Sequence, residues 1–445
     1  MLALVTGCGG GGGGGGTAPP ASSPPTATVK ASATPTPTPS PSPSPTPTQA
    51  SVPAAYATLY AGVSSQVTQF AASVASQCAN ANFATKIYIV DLNADSNSIV
   101  NSLPGASAAQ VQSLAQGAIN EASTDQTILG ASGVNISINY PVLLASSKNF
   151  PNSTFSTANY PTFLSYYEQV VQGIHALGMS VNVETDLVFP QFVTQQPFNY
   201  NGITIPMLEA GVAEVGQHVL DNLHPDTMNL ANEPSSIAFA TGLALNDPTA
   251  YGNFVSAVRS QLSTANSPNS KIGAGSSDWE STQFLTNVVA IPLDFYSLHL
   301  YPPDDLQQGI SQMAQLKASG KTVAITENFL DKEDVSVDGT TGPIDAQLTF
   351  IRDAYSFWAN VDQQYVSSVI QLARCDNAQF ISFNHPDQYW SYIDYNATTA
   401  NYDYSQMVAA NNQATVQNQR TGTVTPAGNA LQLASGKAQA IVRRP

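Results

Sequence analysis

The chain has 445 residues, 14 basic against 30 acidic side chains and a net charge of −16. That balance argues against a nucleic-acid partner, because binding phosphates needs a basic surface. No run of 18 or more apolar residues occurs, so no membrane-spanning helix is expected.

The first eight residues, Met-Leu-Ala-Leu-Val-Thr-Gly-Cys, resemble the end of a bacterial lipoprotein signal, with small Gly7 before a Cys8 that would be lipidated. A basic region is missing and the apolar run is short, which suggests a start lying upstream. Residues 9–51 are Gly-rich, then rich in Pro, Thr and Ser, with Lys30 the only charge before Lys86. Too few large apolar groups are present to offset ordering, so a disordered tether is expected, reaching on the order of 100 Å where it is extended. Membrane attachment is expected only through lipid on Cys8, and the location is extracellular or at the outer cell surface.

Globular patterning runs over 52–445, long enough for one large domain. Tyr56, Leu59, Tyr60, Val63, Val67 and Phe70 recur at helical spacing. Eight short β-rich runs follow, at 86–91, 134–140, 180–185, 227–231, 271–275, 293–299, 321–326 and 379–383. Helical stretches fall between them, at 107–123, 161–177, 206–223, 248–265, 306–319 and 345–371, with a closing helix at 426–435. This alternation predicts a (β/α)8 TIM barrel, with a doubly wound sheet as the alternative. No Gly-x-Gly-x-x-Gly loop follows any of the strands, so no dinucleotide cofactor is expected.

A barrel of this kind carries its chemistry where the strands end. Asn232-Glu233-Pro234 follows the fourth strand and Glu327 ends the seventh. His299 ends the sixth, with Tyr301 just beyond, and Trp390 lies in the loop after the eighth. Asp91, Tyr140 and Glu184 end the first three. Acetal hydrolysis needs one carboxylic acid to protonate the departing oxygen and one carboxylate to attack the anomeric carbon, from opposite sides of the sugar. Glu233 and Glu327 fit those two roles. Trp390 offers an apolar face for a sugar ring, and the other named residues are candidates for binding substrate. The five histidines do not cluster at strand ends, so no metal site is expected.

These motifs resemble clan A of the glycoside hydrolases. In that clan an Asn-Glu pair ends strand four and a Glu ends strand seven, matching "NLANEP" and "AITEN" here. "DFYSLHLYPP" resembles the sixth-strand His-x-Tyr of family 5 enzymes. The resemblance implies a retaining mechanism on β-linked glycans, Glu233 as acid/base, Glu327 as nucleophile, Asn232 on the sugar 2-hydroxyl and Trp390 as platform. Family 5 also places an arginine near the end of strand two; here no Arg precedes Arg259, which suggests a divergent member. A non-catalytic, carbohydrate-binding lipoprotein with the same barrel is the alternative. A monomer is expected.

Cys78 and Cys375 lie just before the first and eighth strands, which are neighbours in a closed barrel. In an oxidising compartment such a pair is expected to be bridged.

Overall fold

The computed structural model describes residues 51–79, 81–150, 158–190, 193–194, 198–301, 306–332 and 346–437. Cys8 and the tether lie outside them. The eight strands are β1 (Lys86–Val90), β2 (Gly133–Ser137), β3 (Ser180–Glu184), β4 (Thr227–Asn229), β5 (Lys271–Ser277), β6 (Phe295–Leu300), β7 (Val323–Asn328) and β8 (Ala378–Phe383). They pair in sequence order, all parallel, and β1 closes on β8 from Lys86↔Phe380 to Ile89↔Phe383. The expected TIM barrel is therefore the fold.

Among the described residues the helices are α1 (Ala57–Gln77), α2 (Ser96–Ile99), α3 (Ala108–Thr124), α4 (Tyr160–Ala176), α5 (Ile205–His218), α6 (Pro234–Thr241) and α7 (Pro248–Ser260). They continue as α8 (Thr282–Val289), α9 (Leu306–Ala318), α10 (Ala346–Asp353), α11 (Ala359–Cys375), α12 (Asp387–Trp390), α13 (Tyr404–Thr421) and α14 (Pro426–Ala434). Many start on local signals. Ser107 and Gln110 form a reciprocal capping box on α3, and Asp403 and Gln406 do so on α13. The span 345–371, read as one helix, breaks at Tyr355, whose extended backbone pairs with Ile393 and whose hydroxyl donates to Thr399 O at 2.8 Å.

The barrel interior changes character along its axis. At the bottom, Tyr88, Phe295, Ala324 and Phe380 form a separate apolar plug, with the Tyr88 and Phe380 rings stacked at 4.5 Å. Gly133 and Gly273 make room for it: a Cβ at either would overlap the ring of Tyr88 or Phe295. Above the plug the layer is polar. Asn182 Nδ2 donates to Asn135 Oδ1 at 2.6 Å, and Ser297 Oγ donates to Asn229 Oδ1 at 2.9 Å. These buried amides satisfy one another, the condition for keeping polar groups in a core.

Outside the barrel, α1 buries Leu59, Val63, Val67, Phe70 and Val74. It packs along α11, where Phe70 meets Tyr365 with ring centroids 6.1 Å apart. Cys78, at the end of α1, is disulfide-bonded to Cys375 at the end of α11, with Cα atoms 5.2 Å apart. Beyond β7, the fully buried Lys332 pairs with Asp362 at 3.0 Å and Asp353 at 3.8 Å. Arg352 joins Asp353 at 2.7 Å to Asp331 at 3.2 Å, tying α10 to the strand end.

Candidate active site

The strand ends converge on a cleft of about 440 Å³, lined by residues that include Asp95, Asn139, Glu184, Asp186, Phe189, Glu233, His299 and Glu327. The register brings its groups to one level. Glu184 on β3 sits beside Ser137 on β2 and Asn229 on β4, and His299 on β6 sits beside Glu327 on β7. The β6–β7 pairing slips between Leu298 and His299. Such irregularities commonly re-aim side chains next to a site.

His299 is the hub. Its Nδ1 lies 2.9 Å from Glu233 Oε1 and 3.7 Å from Glu327 Oε2. Its Nε2 lies 3.3 Å from Glu184 Oε1 and 2.8 Å from Asn232 Nδ2. Burial works against a charged imidazole, but Glu327 and Glu184 outweigh it and hold the ring's proton well above the usual histidine range. Both Glu233 and Glu327 reach one nitrogen, so their facing oxygens are no farther apart than the two distances combined, about 6.6 Å.

Glu327 accepts a hydrogen bond from the Tyr301 hydroxyl and another from Asn384 Nδ2 at 3.3 Å. Asn384 also donates to Tyr301 Oη at 2.7 Å, fixing the pair. Burial, with Glu184 and Glu233 nearby, pushes the Glu327 carboxyl well above the ordinary range, against His299 and Tyr301. Glu184 goes the other way. Burial opposes its charge, but His299 and the Asn135 amide win and bring it down to about 2. Its oxygens accept from Asn135 and Asn229, both at 2.9 Å, and from Asn232 at 3.0 Å.

The structure thus brings together Glu233, Glu327, Glu184, His299 and Tyr301. It places the other sequence candidates elsewhere. Asn232 lies beneath the cleft: its amide donates to Glu184 and to Thr326 Oγ1 at 2.9 Å, and its oxygen accepts from Ser297. Trp390 is not a sugar platform. It is 1% exposed, because α12 turns it back into the core against the Asp125 carboxyl. Asp91 is buried against Glu121 with Oδ1 on Ala94 N, outside the cleft lining. Tyr140 is fully buried, stacked on Tyr200 at 6.1 Å, with its hydroxyl donating to Asn149 O. The sequence reading missed Asn384, although it directly follows β8. It also missed the inward amides of "VNIS", "VNVE" and "MNL". Glu184, His299 and Glu327 each offer an atom within 4.8 Å of the others, a spacing compatible with a metal ion. Glu184 already accepts three amide bonds and pairs with the ring, so a proton on His299 accounts for the arrangement.

No protein-family model and no curated protein matches the chain. Among solved structures it is similar to a GH113 β-1,4-mannanase at 10% identity, covering 80% of this chain and 98% of that one, with a TM-score of 0.42. It is similar to an exo-β-1,4-mannosidase from Opitutaceae bacterium strain TAV5 at 12% identity, covering 82% of this chain and 62% of that one, with a TM-score of 0.47. A native xylanase10C from Cellvibrio japonicus matches at 12% identity, covering 82% and 72%, with a TM-score of 0.39.

Proposed function

We propose that the chain is a retaining glycoside hydrolase of β-linked glycans, with Glu327 as nucleophile and Glu233 as acid/base. One observation carries the reading: carboxylates from β7 and the end of β4 meet the same imidazole nitrogen at 3.7 and 2.9 Å. That bound of about 6.6 Å is compatible with the roughly 5–5.5 Å spacing of double displacement and lies at the lower edge of the spacing that inversion uses. Tyr301 and Asn384 hold Glu327 for attack on the anomeric carbon, and Glu233 protonates the departing oxygen. The resulting glycosyl ester on Glu327 is then hydrolysed by water that Glu233 deprotonates. At rest Glu327 holds its proton tightly. His299 Nδ1, between the two acids, gives its proton to Glu233 and takes the one on Glu327, leaving the acid protonated and the nucleophile ionised.

The Cys78–Cys375 bridge supports an oxidising, extracytoplasmic location, and lipid on Cys8 is the proposed anchor. The test uses two variants. Glu327→Ala abolishes turnover on aryl β-glycosides, and azide restores it with an inverted glycosyl azide as product. Glu233→Ala slows substrates with poor leaving groups far more than activated aryl glycosides, which need little protonation. Equal losses on both substrate types, or an inverted first-formed anomer in the parent by NMR, reject the assignment.

A further inference from the structure

The cleft carries more acid than acetal hydrolysis uses. Five carboxyl groups line it, Asp95, Glu184, Asp186, Glu233 and Glu327, against one cationic side chain, His299. Neither Lys nor Arg is among the described lining residues. Double displacement needs Glu233 and Glu327, and Glu184 is matched to His299 at 3.3 Å. Asp95 and Asp186 are left over.

Their placement is specific. Asp95 caps α2, its Oδ1 accepting from Asn97 N at 2.6 Å. The residue is 0% exposed; Asn97, Ser98 and the Ser137 hydroxyl donate to its carboxyl, while Oδ2 has no partner in hydrogen-bonding geometry. Capping does not require a charge, since Asn or Ser serves as well. Asp186 follows β3, with Oδ1 on Leu187 N at 2.8 Å and its carboxyl facing Glu233 and Glu184. The two acids stand on one braced wall. Asn97 Oδ1 accepts from Phe189 N at 3.2 Å, Ser96 Oγ accepts from Asn139 N at 3.1 Å, and Asn139 Oδ1 accepts from Asp186 N at 3.2 Å. Burial raises Asp95 to about 6, and burial with the Glu233 charge raises Asp186 to about 8. A buried carboxyl oxygen without a partner is costly, and Asp95 Oδ2, on a residue that lines the cleft, is placed for a ligand to supply one.

We propose that this wall binds the ammonium group of an amino sugar, so that the glycan cut here contains β-linked hexosamine units that are not N-acetylated. The inference rests on the glycosidase reading above. An ammonium offers charge-assisted hydrogen bonds to Asp95 Oδ2 and to Asp186, and its positive charge favours the ionised form of carboxyls that burial holds toward the neutral one. A bound metal is the poorer fit: the described groups close enough to share an ion are Glu184, His299 and Glu327, without Asp95 or Asp186. The chain's net charge of −16 also draws in a cationic polymer.

The test compares kcat/KM of the full chain on a fully deacetylated β-1,4-glucosamine oligosaccharide, its N-acetylated counterpart and a cello-oligosaccharide of equal length. The deacetylated substrate is expected to lead by about a hundredfold or more, two charged hydrogen bonds being worth at least about tenfold each. Removing one charged hydrogen bond should cut that lead about ten- to a hundredfold in Asp95→Asn and in Asp186→Asn. Added salt should shrink it as well. Cleavage of neutral oligosaccharides with no preference for the amine overturns this proposal and leaves the glycosidase reading standing. If no oligosaccharide and no activated aryl β-glycoside is cleaved, the glycosidase reading fails. Calorimetric binding of the deacetylated oligosaccharide then decides the wall by itself: binding weakened by Asp95→Asn supports it, and no binding overturns it. Thermal melts of both variants confirm that they fold.

Discussion

Asp95→Asn swaps an ionisable oxygen for an amide at nearly constant shape, so it isolates what the buried charge costs the fold. The side chain is fully buried, and its carboxyl is raised from 3.8 to about 6. The roughly two-unit gap corresponds to about 3 kcal/mol, an upper figure because water entry and relaxation reduce it. The sign follows from which state holds the proton. Below pH 4 folded and unfolded chains both carry it, so there is no cost. Between pH 4 and 6 the unfolded chain ionises first and the fold loses stability. Above pH 6 the loss is complete. Asparagine has no such loss and still caps α2. Asp95→Asn should therefore match the parent near pH 4 and exceed it at pH 8, by a Tm on the order of 4 °C for a domain of this size. The assay is calorimetric melting of both proteins at the two pH values. A variant less stable than the parent at pH 8, or a difference that does not grow between the two, refutes the reasoning. Burial raises Glu121 to about 7 and Asp387 to about 6 with the same sign, so the parent itself should melt higher at pH 5 than at pH 8.

Lys332→Met leaves Asp362 buried without its cation, while Asp353 keeps Arg352, and should cost about 3–5 kcal/mol in denaturant unfolding, most of it recovered in Lys332→Met/Asp362→Asn. A loss below 1 kcal/mol would mean the pair is not held as described. The Cys78–Cys375 bridge spans a sequence separation of 297. Replacing both cysteines with serine should lower stability by a few kcal/mol, read as Tm, while aryl-glycoside kcat stays within about twofold because the bridge lies away from the cleft. An unchanged Tm would argue that the bridge does not form in the native chain.

Much of the fold was legible because local chemistry repeats. All eight strands appear within a few residues of the short β-rich runs that announce them, since a buried parallel strand is mostly apolar even where an inward amide interrupts it. The 18-residue α13 escaped because it buries only Met407, Asn411 and Thr415 and so lacks an apolar stripe; its Asp403-x-x-Gln406 cap was the available signal. Glu233 and Glu327 could be picked out because strand-end position and residue type coincide in chemistry that needs two carboxylates. What the sequence could not decide was orientation beyond the strand ends. Trp390 and Asn384 both follow β8, yet a four-residue helix turns the tryptophan into the core while the asparagine reaches Glu327. Asp95 and Asp186 become a pair only through bonds that join α2 to the β3 loop across some ninety residues of chain. Strand positions follow from periodicity, a local property. Which acids share a wall, and which proton each holds, depends on distances and burial that exist only once the barrel has closed.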